Sequence, residues 1–254
     1  MIIDTHAHYD DDVFEADREE LFSQFKKEGV DKIITVSATY DSCKKTIELI
    51  ETYDFMYGAI GVHPDEVGVL DDEKLANIKE LAKHKKVVAI GEIGLDYHWD
   101  TYPRDIQKKW FEEQLKIAIA LDKPVNVHSR DAAKDTFDIM KSYHTELSGG
   151  IIHCYSGSVE MARDYVAMGF MLGIGGVVTF KNAQKLKEVV RAIDLGNLVL
   201  ETDAPYLAPV PFRGERNHSA LLHYVAEEIA KLKEVSKEVV LQMTHENASK
   251  LYRL

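Results

Sequence analysis

Eight short apolar segments recur along the chain at an average spacing of 28 residues. Most of them are continuously apolar rather than alternating, which is typical of strands buried on both faces of a parallel sheet. We therefore predict eight parallel strands, which begin near the following residues: Ile2, Lys32, Met56, Val87, Pro124, Gly150, Phe170 and Leu198.

Segments with helical spacing of apolar residues lie between these runs, and one more follows the eighth unit. Eight strand–helix units in 254 residues predict an α/β protein with a (β/α)8 TIM barrel and an additional C-terminal helix. No linker or shift in composition is visible, so we predict a single domain over residues 1–254. An open doubly wound sheet is the weaker alternative, because THAHYD rather than a glycine-rich phosphate loop follows the first strand. The predicted helices cover 14–28, 42–53, 72–84, 104–121, 132–143, 159–168, 183–193, 220–232 and 237–253.

Composition limits the class of protein. The formal net charge of −12 argues against a protein that coats DNA through a basic surface. The two cysteines, Cys43 and Cys154, offer no disulfide framework, which favours a reducing, cytoplasmic location. The N-terminal MIIDTHAH lacks the pattern of a signal peptide, and no apolar run approaches the roughly 20 residues that span a bilayer, so we expect no membrane contact.

Ionisable residues stand at the ends of five predicted strands, where barrel enzymes carry their catalytic groups. The spacing His-x-His after the first strand places two imidazoles on the same side of the chain. Each residue alone has a structural explanation, such as a buried ion pair or a turn. Their coincidence at one rim favours a metal site, because buried ionisable groups are costly unless they are paired or bound to metal. The residues are His6, His8, Glu92, His128, His153 and Asp203.

The number of these donors predicts two ions. Four imidazoles and two carboxylates are too many for one tetrahedral ion with an open position. They suit two divalent ions about 3.5–4 Å apart, with Glu92 as the bridging carboxylate. Zn, Mn, Mg, Fe and Co are not distinguished by these ligands. We predict one ion on His6, His8, Glu92 and Asp203, and a second on Glu92, His128 and His153.

Six strings occur in order along the chain: DTHAH, GVHP, GEIGLDY, VNVHSRDA, HCYSG and ETDAPYLAP. Together they resemble the TatD-like metal-dependent deoxyribonucleases of the amidohydrolase-like superfamily, from Met1 to about Asn217. The resemblance implies a TIM barrel, hydrolysis of DNA phosphodiester bonds, and metal ligands at the six positions selected above. The family segment close to RGxxNEP here reads RGERNHS over residues 213–219, which retains Arg213 and Asn217 but not the Glu-Pro pair.

We predict catalysis by metal-activated water, with Asp203 as both ligand and proton acceptor and Glu92 as the bridge. His63, in GVHP, is assigned to a phosphate oxygen or the leaving group, with shaping of the turn before Pro64 as the alternative. Substrate binding is assigned to Arg130 and Arg213, rim arginines that suit phosphate. The resemblance to the family segment adds Asn217 to the substrate-binding residues.

Three aromatic residues, Tyr97, Trp99 and Tyr155, lie just past strand ends and either stack on bases or pack loops. Cys154 follows His153 directly, so strand alternation predicts that its thiol faces the core. The expected substrate is single-stranded or frayed DNA cut by an exonuclease, with no obligate protein partner. The alternatives are a hydrolase of a small phosphoester, ester or cyclic amide, and a non-catalytic metal-binding protein.

Overall fold

The computed structural model describes all 254 residues and contains one eight-stranded parallel sheet. The strands are hydrogen-bonded in chain order, each to the next. Nearly every residue of the strands is buried, as the continuous apolar runs predicted. The strands are β1 (Ile2–Ala7), β2 (Val30–Val36), β3 (Met56–Ile60), β4 (Val87–Asp96), β5 (Val125–Arg130), β6 (Gly150–Ile152), β7 (Phe170–Ile174) and β8 (Leu198–Leu200).

Helices connect the strands and cover the outside of the sheet. Their positions agree with the predicted ranges except for the first, which begins four residues late because Asp12–Phe14 forms a separate 3₁₀ turn capped by Asp11. The helices are α1 (Arg18–Phe25), α2 (Ser42–Thr52), α3 (Asp72–Leu81), α4 (Arg104–Leu121), α5 (Ala133–Tyr143), α6 (Val159–Ala167), α7 (Gln184–Ala192), α8 (Leu222–Lys233) and α9 (Lys237–Tyr252).

The first and last strands meet and close the sheet into a barrel. Ala7 and Ala204 form a parallel bridge just beyond β8, and the His8 amide donates to the Ala204 carbonyl at 2.7 Å. The Thr5 hydroxyl donates to the Leu200 carbonyl at 2.9 Å. The prediction of a (β/α)8 TIM barrel is therefore confirmed, and the carboxyl ends of all eight strands meet at one rim.

The additional C-terminal helix, α9, is also confirmed. Its buried Asn247 donates from Nδ2 to the carbonyls of Leu195 and Leu198, at 2.9 and 2.8 Å, and so attaches the helix to the start of β8. No helix is both long and apolar enough to cross a membrane.

Candidate metal centre

The six predicted ligands meet at the carboxyl rim of the barrel. His6 lies inside β1 and His8 directly after it, so the extended backbone directs both rings to the same side. Glu92 lies in β4 where the pairing with β5 is irregular, between Ile90 and Ile93. Asp203 follows β8 in the left-handed region, with φ of 59°, and its amide donates to the His6 carbonyl at 2.9 Å.

Four donor atoms lie close together: His6 Nε2, His8 Nε2, Glu92 Oε2 and Asp203 Oδ1. The two histidine nitrogens are 3.1 Å apart, and each lies 3.4–3.7 Å from both carboxylate oxygens. A tetrahedral ion with ligands at about 2.0–2.1 Å needs donor separations of about 3.3 Å. The separations that involve a histidine nitrogen are close to this value, and His6, His8 and Asp203 form a group that could hold a metal ion.

The outer nitrogens of His6 and His8 are both occupied as donors. His6 Nδ1 donates to Asn126 Oδ1 at 3.0 Å, because the Asn126 amide group is itself directed to the Thr5 carbonyl. His8 Nδ1 donates to the Val36 carbonyl at 2.8 Å. When both rings are neutral, each points an Nε2 lone pair into the site, where a bound cation or a shared proton relieves their repulsion.

The other two histidines contact Glu92 from the opposite side. His128 Nδ1 is 2.9 Å from Glu92 Oε1, and His153 Nε2 is 3.9 Å from the same oxygen. His153 also stacks on His6, with ring centroids 3.5 Å apart, and its Nε2 is 3.6 Å from Asp203 Oδ1. Glu92 Oε2 thus faces His6 and His8 and Oε1 faces His128, while His153 lies between the two groups.

Two buried carboxylates that sequence analysis missed lie beside the outer nitrogens of these histidines, and one of them, Asp96, is hydrogen-bonded. Asp96 Oδ2 accepts from His128 Nε2 at 3.0 Å, and Glu201 Oε1 lies 3.1 Å from His153 Nδ1. Both acids are 1% exposed. Metal-binding histidines are commonly oriented in this way by an outer carboxylate. The only sequence signal was their place beside predicted ligands, Asp96 within GEIGLDY and Glu201 within ETD.

The electrostatics of the cluster are those of ionised carboxylates among histidines. Burial by itself raises the pKa of Glu92, but the charges and hydrogen bonds of the surrounding histidines hold it well below its usual range. Burial lowers the pKa of His128, but its bonds to Asp96 and Glu92 dominate and raise it to about 9. A cation that binds here displaces protons from the histidines, so metal binding is coupled to proton release.

His63 occupies the site in a different role. Its Nδ1 accepts from the Asp65 amide at 3.2 Å, which caps the 3₁₀ turn that begins at Pro64. Burial and the neighbouring His128 lower its pKa to about 3, so the ring is neutral. With Nδ1 as acceptor, the ring proton lies on Nε2, 3.9 Å from Glu92 Oε1. His63 therefore both shapes the turn, as the alternative held, and presents a donor to the site.

The three predicted substrate-binding residues lie in different surroundings. Arg130 lines an open cavity of about 890 Å³ above the ligand cluster. Arg213 is exposed and lies with its guanidinium carbon 4.5 Å from the centre of the Phe180 ring, outside that cavity. The structure brings only the first of these two cations to the candidate site.

Asn217 does not face the cavity. It is 1% exposed, and its Nδ2 donates to the carbonyls of Thr202 and Tyr206 at 2.9 and 2.7 Å. Its Oδ1 accepts from the His218 amide. With all its polar atoms committed to backbone, Asn217 holds the loop that carries Asp203 instead of reaching a substrate, which corrects its predicted assignment.

Cys154 also differs from its prediction. Strand β6 ends at Ile152, and Cys154 has a φ of 44°, so the alternation of a strand does not extend to it. Its side chain is half-buried and lines a second cavity of about 460 Å³ beside His128 and His153.

Of the three aromatic candidates, two pack loops. Tyr97 donates from its hydroxyl to Asp135 at 2.7 Å, and Tyr155 is 4% exposed and donates to the Ser158 carbonyl at 2.7 Å. Trp99, by contrast, is 63% exposed and lines the large cavity. Only Trp99 is free to contact a ligand with its ring.

Comparison with known proteins identifies relatives over the whole chain. The family model described as "TatD related DNase" matches residues 3–253. The uncharacterized metal-dependent hydrolase YabD of Bacillus subtilis is 48% identical over 254 residues and covers 100% of both chains. The uncharacterized metal-dependent hydrolase YcfH of Escherichia coli is 34% identical, over 100% of this chain and 96% of its own.

Solved structures agree. The crystal structure of YjjV, a TatD homologue from Escherichia coli K12, superposes with a TM-score of 0.94 at 31% identity, over 100% of this chain and 98% of that one. A mutant organophosphorus hydrolase from Deinococcus radiodurans, at 12% identity and a TM-score of 0.63, shares the fold alone. The chain belongs to the TatD-related DNase family of metal-dependent hydrolases.

Proposed function

We propose that this protein is a metal-dependent deoxyribonuclease that hydrolyses DNA phosphodiester bonds as an exonuclease on single strands or frayed ends. The observation that carries the proposal is the convergence of six donor side chains, five of which line one open cavity, with His6, His8 and His128 hydrogen-bonded through their outer nitrogens. The family to which the chain belongs supports DNA as the substrate.

Two divalent ions would be held through Glu92, whose Oε2 faces His6 and His8 and whose Oε1 faces His128. In the first set, the separations that involve a histidine nitrogen are 3.1–3.7 Å. In the second set, Asp96 accepts a hydrogen bond from His128, and Glu201 lies beside His153. When bound, such ions lower the pKa of a coordinated water and offset the charge on the phosphate oxygens. The proposed ligand sets are His6, His8, Glu92 and Asp203, and Glu92, His128 and His153.

Asp203 is proposed to accept the proton of the attacking water. Burial by itself raises its pKa, but the hydrogen bond from His8 and the charges of the other histidines lower it below the usual value, so the carboxylate is ionised. Its side chain is 20% exposed, compared with 4% for Glu92 and 1% for Asp96 and Glu201. An ionised carboxylate that is exposed to the cavity is able to accept a proton from a water molecule there.

His63 is proposed to bind the substrate rather than to transfer a proton. With a pKa near 3, its ring stays neutral at physiological pH and does not act as a charged acid. The Nε2 proton that faces Glu92 is available as a hydrogen-bond donor to a non-bridging phosphate oxygen. This donor complements the charge that develops on phosphate during hydrolysis.

The charge of the cavity limits how much nucleic acid can bind. One side is lined by acids, including Asp10, Asp11 and Asp12, while Arg130 and Lys45 are the cations of the lining. Lys45 is already paired with Asp12 at 2.6 Å. We therefore expect few phosphate contacts and a weaker dependence on salt than that of a protein making about 6–10 such contacts.

The decisive experiment is digestion of end-labelled DNA after chelation and add-back of single metals. We expect stepwise shortening of linear single strands, slower attack on blunt duplex and little cleavage of circular single strands. Glu92→Gln is the matched variant and is expected to lose both activity and bound metal. Retention of both by this variant contradicts the bridging role.

The acidic side of the cavity also favours a second candidate function, hydrolysis of a small phosphoester. Such a substrate does not have to extend over Asp10, Asp11 and Asp12. Parallel assays on p-nitrophenyl phosphate distinguish the two. Hydrolysis of this monoester without any cleavage of the oligonucleotides supports the small-substrate alternative and contradicts the nuclease proposal.

A further inference from the structure

Trp99 has an exposed ring on a loop whose backbone is hydrogen-bonded. It follows β4 and, at 63% exposure, is the most exposed aromatic residue of the chain. The other tryptophan, Trp110, is 6% exposed in the core. Single exposed apolar residues are common on protein surfaces, so exposure alone assigns no role. The location does, because Trp99 lines the cavity that contains the metal ligands.

The loop that carries Trp99 is tied down at both ends. Asp96 Oδ1 accepts from the amides of His98 and Trp99, at 2.8 and 3.2 Å. The buried Gln107 donates from Nε2 to the carbonyls of Asp96 and Tyr102, at 2.9 and 3.0 Å. The backbone of the loop is therefore already ordered, so a flat ligand that meets the exposed indole does not first have to order the loop.

Arg130 accompanies the indole. It comes from the end of β5, two residues after His128, and its guanidinium carbon lies 5.4 Å from the centre of the Trp99 ring. At this distance the cation is attracted by the ring, which favours this arrangement of the two side chains. Both residues line the same cavity, so an aromatic surface and a phosphate-binding cation stand side by side at its edge.

One carboxylate joins this pair to the metal centre. Asp96 Oδ1 holds the Trp99 amide, and Asp96 Oδ2 holds His128 Nε2 at 3.0 Å. The Trp99 loop and a metal ligand are therefore positioned by the two oxygens of the same buried group. A ligand that stacks on the indole would thereby lie next to the candidate metal ligands.

We infer that Trp99 and Arg130 form a platform for one unpaired nucleobase next to the scissile phosphate. The base stacks on the indole, and Arg130 pairs with the adjoining phosphate. The inference rests on the proposed nuclease function and names the form of nucleic acid that the site takes. Every base has a π-face, so the platform accepts any sequence. Bases inside a duplex are already stacked and paired, so the platform selects single strands and frayed ends.

The kinetic test compares two single-stranded octamers of equal charge. One is oligothymidylate, and the other carries tetrahydrofuran spacers in place of all its nucleosides. Stacking is worth enough that Trp99→Ala is expected to raise KM for oligothymidylate at least about five-fold. The same variant is expected to leave the kinetics on the spacer octamer unchanged. Trp99→Phe, which keeps an aromatic face, is expected to retain most of the affinity.

A matched control is Tyr224→Ala, which removes an aromatic residue that is 37% exposed on α8, away from the large cavity. It is expected to behave as wild type on both octamers. An unchanged KM for oligothymidylate in Trp99→Ala overturns the platform. An equal loss on both octamers also overturns it, because the effect then does not depend on bases.

A spectroscopic test does not depend on turnover. Because the chain has two tryptophans, the emission of the wild type minus that of Trp99→Phe isolates the signal of Trp99. Oligothymidylate is expected to quench this signal, and the spacer octamer is not. Cleavage without base-dependent quenching refutes the platform and leaves the proposed function standing. Base-dependent quenching without cleavage under any metal supports the platform and refutes the nuclease function.

Discussion

Asp96→Asn is the substitution that most directly tests how the outer residues prepare the metal centre. The carboxylate accepts three hydrogen bonds: Oδ1 from the amides of His98 and Trp99, and Oδ2 from His128 Nε2. Asparagine has the same shape but only one acceptor oxygen. If that oxygen keeps the two backbone amides, the NH2 group faces His128 Nε2 and requires it to be an acceptor.

Asp96→Asn affects the metal centre by changing the tautomer of the His128 ring. With Nε2 as acceptor, the proton of neutral His128 moves to Nδ1, which lies 2.9 Å from Glu92 Oε1. A protonated nitrogen has no lone pair for a metal ion. Loss of an outer partner of a ligating histidine costs about 10- to 100-fold in metal affinity, or about 1.4–2.7 kcal/mol. We expect Asp96→Asn to lose at least this much affinity for one of the two ions and to retain its affinity for the other.

The assay is equilibrium dialysis with Mn²⁺ or Zn²⁺, which gives the number of ions per chain and each Kd. Thermal unfolding in EDTA checks that the variant is folded. Asp65→Asn is a suitable control, because Asp65 lines the same cavity and its own hydrogen bond is to Thr101 rather than to a ligand. Two ions bound to a folded Asp96→Asn protein with wild-type affinity refute the reasoning.

Three further predictions follow from the same geometry. Asp203→Asn is expected to lower kcat far more than it raises KM, measured on single-stranded DNA. Gly173→Ala is expected to weaken metal binding and activity, because a Cβ there lies 2.1 Å from Glu201 Oε2. In EDTA, the melting temperature is expected to fall as the pH rises from 6.5 to about 10. The folded protein raises the pKa of His8 from 6.5 to about 10 and that of His128 from 6.5 to about 9. The ion pairs of the protonated rings stabilise the fold at low pH, and this stabilisation is lost as the rings deprotonate.

Each of these has a contrary outcome. Normal turnover by Asp203→Asn removes this residue as the proton acceptor. Gly196→Ala is the control for Gly173, since its added Cβ meets only the Asp194 side chain at 3.2 Å. Equal tolerance of both substitutions refutes the argument about Glu201. Saturating divalent metal is expected to flatten the pH dependence of the melting temperature, because the metal binds deprotonated histidines. An unchanged pH dependence in the presence of metal contradicts this prediction.

Much of the fold was accessible from the sequence because the signals are local. A strand buried on both faces requires a continuous apolar run, and a helix that covers the sheet requires apolar residues at helical spacing. The run at Val87 became β4, and the helical pattern at 104–121 became α4 with the same bounds. Ligands at strand ends were accessible for a related reason, since a parallel barrel brings all carboxyl ends to one rim.

The roles of Asp96, Glu201 and Asn217 could not be predicted from the sequence, because they depend on which side-chain atom faces which neighbour in the folded protein. Asp96 and Glu201 are ordinary acids in the sequence, and only the packed barrel directs them to His128 and His153. Asn217 carries a family motif, yet packing commits its amide to the backbone behind Asp203.

The sequence alone therefore determined the barrel and the set of donors at its rim. Tertiary structure decided which atom of each donor points inward and that Trp99, alone of three aromatic candidates, stands in the open. The physical reason is the separation along the chain of the residues that interact. Apolar periodicity is a property of neighbouring residues, while a histidine tautomer and the exposure of a ring are set by groups such as Asn126, 120 residues from His6 in the chain.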